Sequence, residues 1–349
     1  MTSGKKIRVA VLGATGYAGC ELVKILLRHK GVEHLRLLSR AGEVREAGLD
    51  HDYPELMGRG DFSFVPYSAE VLTKEKIDLL FLATPHDLSR ALVPEAIELG
   101  VRIVDLSGAW RLKSEANRRV YKFTDADPAK AAALDAEAVF GLPELHRKEI
   151  AKARLVANPG CYATSMIVPL VPLVRSGLVD VENGIICDAK SGVSGAGKKP
   201  VQKTHFVEAS GNLSAYSVFG HRHTGEVLEQ TGLRYEQFTF TPHLLPIPRG
   251  ILSTIYLRMK RKCSAAEIDA VLHEHYKDGG WVRIFGSSRL PEIRYSVNTN
   301  YCDVGFALSE DGRRLTVVSC LDNLLKGAAG QAAQNMNVMY GWSEQEGLR

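Results

Sequence analysis

Ile7-Arg8-Val9-Ala10-Val11-Leu12-Gly13-Ala14-Thr15-Gly16-Tyr17-Ala18-Gly19 sets the architecture of this chain. Residues 6–12 form a strand-like apolar run, and Gly13-x-x-Gly16-x-x-Gly19 follows it at once. From Glu21 to His29 the period is helical, with Leu22, Ile25 and Leu26 on one face. Glycines at this spacing allow a tight turn and let backbone N–H groups approach a pyrophosphate at the helix N-terminus. The segment therefore reads as a dinucleotide-binding strand–turn–helix whose contacts are Gly13, Thr15, Gly16, Tyr17, Ala18 and Gly19. A strand–helix turn without a ligand is the plain alternative.

Further along, residues 35–38, 77–83 and 101–106 are short apolar strands, the last two as continuous as buried parallel strands are. Ser89 to Leu99 reads as a helix between them. Strand and helix in alternation predict a doubly wound α/β domain. The second strand ends at Ser39-Arg40, where an NAD site usually carries Asp or Glu. A guanidinium there suits a 2′-phosphate, so Ser39 and Arg40 predict NADP(H) over NAD, against the plain reading of a solvated loop arginine.

A different texture follows residue 160. Residues 184–188, 239–241, 251–260 and 316–320 read as strands of an antiparallel or mixed sheet, and Ala265 to Tyr276 as an amphipathic helix. A last helix, 322–340, is rich in Gly and Ala that permit close packing. With 349 residues the chain exceeds what one core usually holds. The expected division is residues 1–157, joined by the C-terminal stretch 322–349, as an NADP-binding Rossmann-type domain, and residues 158–321 as a catalytic and dimerisation domain.

Composition narrows the function classes. A hydrophobic share of 45%, a charged share of 24% and a net charge of +4 fit a soluble enzyme and call for neither nucleic acid nor a membrane. No apolar run is long enough to span a bilayer, and the basic start before residue 7 reads as the lead-in to a strand, not a signal peptide. The expected location is the cytoplasm. Six dispersed cysteines form no CxxC pair, so neither a disulfide framework nor a metal site is expected. Cys20, Cys187, Cys302 and Cys320 fall in apolar elements, and Cys263 reads as a surface or loop residue.

Cys161 differs from the others. Residues 153–157 read as a strand, Asn158-Pro159-Gly160 as a tight turn, and Cys161 opens a long apolar helix. Free N–H groups and the positive end of the helix dipole favour a thiolate there, and the thiolate is the nucleophile. The plain alternative is an inert core thiol. A catalytic thiol needs a proton partner. Gly220-His221-Arg222-His223-Thr224 offers two imidazoles, and on an extended segment both would face one side. Either can be the acid–base. His221 is the primary candidate, with His223 as substrate contact or alternate. Arg111, after a strand end, suits a phosphate or carboxylate. The glycine-rich run 191–198 lets backbone approach a ligand but lacks P-loop spacing. The plain readings are a surface salt bridge and a mobile hairpin.

Taken together, GATGYAG (13–19), ATPH (83–86), DLSGAWRL (105–112), NPGCYAT (158–164), SGVSGAGK (191–198), HRHTGE (221–226), PHLLPIPRGIL (242–252) and DNLLKGAAGQAAQNMN (322–337) resemble the N-acetyl-γ-glutamyl-phosphate reductase family over nearly the whole chain. The resemblance implies NADPH-dependent reductive dephosphorylation of an acyl phosphate to N-acetyl-glutamate 5-semialdehyde through a Cys161 thioester. It implies His221 as acid–base, and Arg111, Asn158, Ser191, His223 and Arg249 as substrate contacts. It adds Pro85, Ser194, Gly195 and Asn323 to the cofactor site. It also implies a glyceraldehyde-3-phosphate-dehydrogenase-like α+β second domain and a dimer or tetramer. Gly225 stands where the family usually has Pro, and Pro246-Ile247-Pro248-Arg249 departs from its usual form. Neither change removes a reactive group. The rival readings are the amino-adipyl-phosphate reductase of lysine biosynthesis, one methylene longer, and a non-catalytic NADP-binding scaffold.

Overall fold

The structure is a computed structural model that describes residues 6–349; the basic start before them lies outside the described residues. Seven strands make the first sheet: β1 (Ile7–Leu12), β2 (Val32–Ser39), β3 (Phe64–Pro66), β4 (Leu79–Leu82), β5 (Arg102–Asp105), β6 (Val139–Phe140) and β7 (Leu155–Ala157). Their order is β3-β2-β1-β4-β5-β7-β6, and every pairing is parallel. Parallel strands need covered faces, which is why Val9, Val11, Leu80, Phe81 and Val104 are all fully buried. The order reverses beside β1, the crevice position where ligands bind in open α/β sheets.

The second sheet comprises β8 (Ile185–Gly192), β9 (Ser214–Ala215), β10 (Phe238–Leu245), β11 (Ile251–Arg258), β12 (Val282–Gly286), β13 (Cys302–Leu308) and β14 (Arg314–Leu321). Its order is β12-β13-β14-β11-β8-β10-β9. The β8–β10 and β12–β13 pairs are parallel and the others antiparallel, so the sheet is mixed. In β11, Ile251, Ser253, Ile255 and Leu257 are buried while Tyr256 and Arg258 are exposed, the alternation of a half-covered strand.

The chain divides into two units. The first holds residues up to Lys113, Tyr121–Pro159 and Ala328–Arg349; the second holds Ser114–Val120 and Gly160–Gly327. Each sheet lies within one unit. The short piece 114–120 joins the second because Glu229 Oε1 accepts from Ser114 N at 2.9 Å and from Asn117 Nδ2 at 3.0 Å. The terminal helix is not continuous from residue 322: Leu325–Ala329 is a π-helical turn and Gly330–Met339 an α-helix. That α-helix is buried throughout, with Gln331 and Asn335 both donating to the Gly141 carbonyl at 2.8 Å. Cys263 is buried, not exposed, because its N–H bonds the Gly312 carbonyl at 3.0 Å and that turn folds over it.

Candidate active site

In the first unit, the loop after β1 is shaped by backbone closeness. Gly13 has φ +94°, and a Cβ there would stand 2.3 Å from the Ala83 carbonyl oxygen; a Cβ on Gly19 would stand 2.2 Å from Gly13 O. Only glycine fits either place. Gly16, where a Cβ would stand in ordinary contact with Gly13 O at 3.6 Å, caps the helix Tyr17–Leu26 with no side-chain hydrogen bond, leaving its first N–H groups for a ligand. The Thr84 hydroxyl oxygen, beside Pro85 at the end of β4, is buried without a protein partner. These features fit a dinucleotide phosphate. Ser39 is buried and donates to the Glu43 carbonyl, while Arg40 next to it is exposed.

Arg111 is also in the first unit, buried, with Nη2 donating to Leu106 O at 2.7 Å. Asp105 at the start of that loop is fully buried and receives the Ser107 hydroxyl and N–H at 2.7 and 3.0 Å; burial pushes its carboxyl above the usual range. Asn158 is buried and its amide is engaged, donating to Ala328 O at 3.1 Å and accepting from Asn335 Nδ2 at 3.0 Å.

Cys161 belongs to the second unit. Gly160, extended at φ −72° and ψ 149°, caps the helix Cys161–Arg175 without a side-chain hydrogen bond. Cys161 is thus the first helical residue, half-buried, whereas the other five cysteines are buried. Burial pushes the Cys187 and Cys320 thiols up, as inert core thiols require. Cys161 opens into a cavity of about 290 Å³ together with Ser191, Gly195, His221 and His223. The cavity brings in Lys203, Tyr216 and Arg222 as well.

His221 and His223 do not lie on an extended segment. Arg222 is already helical and His223 begins the helix His223–Thr231, yet the two rings are 4.7 Å apart at right-angled tilt. Helical closure joins them: the His223 backbone N–H donates to His221 Nδ1 at 3.1 Å. A bare Nδ1 means the neutral His221 ring carries its proton on Nε2. Tyr162, Tyr216 and Phe240 stand around that ring at 5.2–5.7 Å. Burial first, then the charges of Arg222 and Lys203, push His221 down to about 4. His221 is a neutral donor at working pH. Lys203 Nζ sits 4.6 Å over the Tyr216 ring, which fixes its cation at the cavity wall.

Of the remaining sequence candidates, Ser194 Oγ accepts from Asn323 Nδ2 at 2.9 Å, and Asn323 Oδ1 accepts Gly250 N–H at 2.7 Å. Ser194 lies in a 3₁₀ turn, Val193–Ala196, not a hairpin. Gly192 lets this turn in, since a Cβ there would meet the Ile247 carbonyl and Arg249 N at 2.7 Å. Arg249 pairs with the buried Asp322 at 3.1 Å and is outside the lining of the Cys161 cavity. Sequence reasoning gave no role to Thr84, Lys203, Tyr216 or Glu226. The charged pair 203 and 222 is separated by a loop whose closure no periodicity reports. Among the described residues no cluster of His, Cys, Asp and Glu is arranged to hold a metal, and no helix is long and apolar enough to cross a membrane.

Comparison with known proteins follows this division. Residues 8–153 match the semialdehyde dehydrogenase NAD binding domain, and residues 161–323 the semialdehyde dehydrogenase dimerisation domain. Solved structures share the fold. Aspartate semialdehyde dehydrogenase II from Vibrio cholerae superposes with a TM-score of 0.69 at 17% identity, covering 96% of this chain and 98% of that one. Aspartate semialdehyde dehydrogenase with NADP from Candida albicans gives the same TM-score at 15% identity, again over 96% and 98%. Sequence relatives are much nearer. Proteins named N-acetyl-gamma-glutamyl-phosphate reductase from Halothermothrix orenii and Bacillus subtilis are 42% and 40% identical, each over 98% of both chains. The one from Methanocaldococcus jannaschii is 41% identical over 97% of both. With a glycine-turn nucleotide loop in one unit, a cysteine at a helix start facing two imidazoles in the other, and this similarity end to end, the chain belongs to the N-acetyl-γ-glutamyl-phosphate reductase family.

Proposed function

We propose that this chain reduces N-acetyl-γ-glutamyl phosphate to N-acetyl-glutamate 5-semialdehyde with NADPH, releasing phosphate, as a step of arginine biosynthesis. The observation that carries the reading is Cys161 at an uncapped helix start in a cavity shared with His221, His223, Lys203 and Arg222. The first unit is the cofactor domain and the second the catalytic domain, which also carries self-association. The named relatives favour the glutamyl chain over the amino-adipyl one, and a scaffold has no use for this cluster.

The Cys161 thiolate forms a bond to the acyl carbon, and the bond from that carbon to the phosphate oxygen breaks. Phosphate leaves with the electron pair and takes up a proton. Lys203 and Arg222 lower the cost of its charge while it is still in the cavity. Nicotinamide, when bound, supplies the hydride that reduces the thioester carbon. His221, with its proton on Nε2, donates a hydrogen bond to the acyl oxygen as that oxygen becomes negative. Return of the electron pair to sulfur frees the aldehyde and restores the thiolate. Gly13, Gly16, Gly19 and Thr84 would hold the dinucleotide phosphates. Arg40, exposed at the end of β2 where the sequence has no Asp or Glu, would take the 2′-phosphate, which supports NADPH over NADH.

The test runs the reaction backwards: N-acetyl-glutamate semialdehyde, phosphate and NADP⁺, followed by NADPH absorbance. Phosphate-dependent turnover that Cys161→Ala abolishes, and that exceeds turnover of the amino-adipate semialdehyde analogue, supports the reading. Preference for the longer aldehyde replaces the substrate, and folded protein that binds NADP⁺ without turnover replaces the enzyme with a scaffold.

A further inference from the structure

Glu226 has no place in the chemistry above, yet its side chain is fully buried beside the nucleophile. It lies one helical turn after His223 on the helix His223–Thr231. Its Oε2 accepts the Gly160 N–H at 2.8 Å, and its Oε1 is 4.0 Å from His223 Nε2. Gly160 caps the Cys161 helix, and a Cβ on it would lie 2.3 Å from His223 Nε2. One carboxylate therefore ties the cysteine turn to the histidine helix, with the His223 ring packed between them. A buried carboxylate is costly unless it is hydrogen-bonded and faces a cation. The ionisable groups around this pair are Cys161 and Tyr162 from the cysteine helix, His221 and Arg222 from the preceding loop, and Lys203 and Tyr216 across the cavity. His221 is excluded as the cation, because its Nδ1 already accepts the His223 N–H.

We infer that Glu226 is a positioning residue that keeps His223 as an imidazolium beside Cys161, and so maintains the thiolate at neutral pH. The inference rests on Cys161 being the nucleophile. It divides labour between the two imidazoles: His223 with Glu226 is the fixed positive charge, and His221 is the neutral donor. The carboxylate also holds the Gly160 peptide with its N–H turned toward the histidine helix, which fixes where the Cys161 helix begins.

The experiment measures the pH dependence of Cys161 alkylation by iodoacetamide, localised by peptide mass, in the wild-type chain and in Glu226→Gln. The amide keeps the size and an acceptor for Gly160 but not the charge. The expected result is an alkylation midpoint raised by about one pH unit or more in Glu226→Gln. A fall in kcat of about tenfold or more and an unchanged KM for NADPH go with it, and Glu226→Asp recovers part of the shift. An unmoved midpoint in a Glu226→Gln protein of wild-type melting temperature overturns the inference. Should Glu226→Gln fold poorly, His223→Asn must give the same upward shift, and an unmoved midpoint there overturns it equally. A wild-type Cys161 that reacts at neutral pH no faster than free cysteine is a different failure: it removes the nucleophile reading itself.

Discussion

Two imidazoles two positions apart sit in opposite electrostatic settings. His221 is held near 4 by burial among aromatic rings and by Arg222 and Lys203, while His223 faces a buried carboxylate. For His221 the sign is fixed: its folded pKa lies below the unfolded value of about 6.5, so the ring is neutral from about pH 5 upward. The kcat/KM profile is therefore expected to carry no His221 limb near pH 6.5, which a rate profile from pH 5 to 9 reads directly. Stability follows the same linkage. The unfolded chain takes a proton that the folded ring refuses, so stability is lost as pH falls from about 6.5 through about 4. His221→Asn is expected to make urea midpoints at pH 7 and pH 4.5 more nearly equal than in the wild type. Cys161 and the histidine pair were legible in the sequence because their neighbours, Pro159-Gly160 and Gly220, mark turns. Glu226 was not, since the histidine segment reads as extended and nothing in the sequence marks the helix His223–Thr231 that carries it. Only the docking of that helix on the cysteine helix buries it.

At the scale of elements, the turn Leu325–Ala329 is π-helical where the sequence pattern predicts one unbroken helix. The pattern of small residues does foretell close packing, but not that the partner is the nucleophile. A Cβ on Gly327 would lie 2.7 Å from Cys161 Cβ and 3.2 Å from its Cα. The extra residue in the turn lets the Gly327 N–H reach the Asp322 carbonyl at 2.9 Å, presenting glycine where the cysteine backbone passes. Gly327→Ala is expected to cost about 1–3 kcal/mol of stability by overpacking. It should lower kcat at least tenfold with cofactor affinity intact, as steady-state kinetics and NADPH fluorescence titration will report. The strands were read more easily: β11 alternates and β4 is continuously apolar, and both patterns follow from which faces are covered. Their ends were harder, because backbone pairing, not hydrophobicity, closes a strand. The histidine segment was expected to be extended and is the start of a helix, since its two rings and Arg222 give no periodic signal.

Across the whole molecule, the first unit is assembled from three separate stretches, the last being Ala328–Arg349. Its helix Gly330–Met339 is buried on all sides although it carries Gln331, Gln334, Asn335 and Asn337. Their amide N–H groups or oxygens find partners in the unit: Gly141 O, Glu144, Asn158 and, through Asn337, His29 Nε2 at 2.7 Å, while Gln331 Oε1 and Asn335 Oδ1 stay buried without one. The polar content hides the burial from a hydropathy reading, and the amide bonds that do form offset part of its cost in the fold. A chain ending at Gly327 is expected to lose NADPH binding and to bind an apolar dye, because β5 and the helices Tyr17–Leu26 and Pro143–Lys152 lose their cover. Fluorescence titration of both ligands checks this. The same arrangement governs the order of manufacture. A ribosome delivers the nucleotide loop before any of the second unit, yet the helix Gly330–Met339 that covers its sheet follows that unit in the chain. The second unit has all of its chain by then and is free to close first. The half-built nucleotide domain must wait, open on one side, until residues 328–349 have left the ribosome, so chaperone capture of the nascent chain should fall once that stretch has emerged.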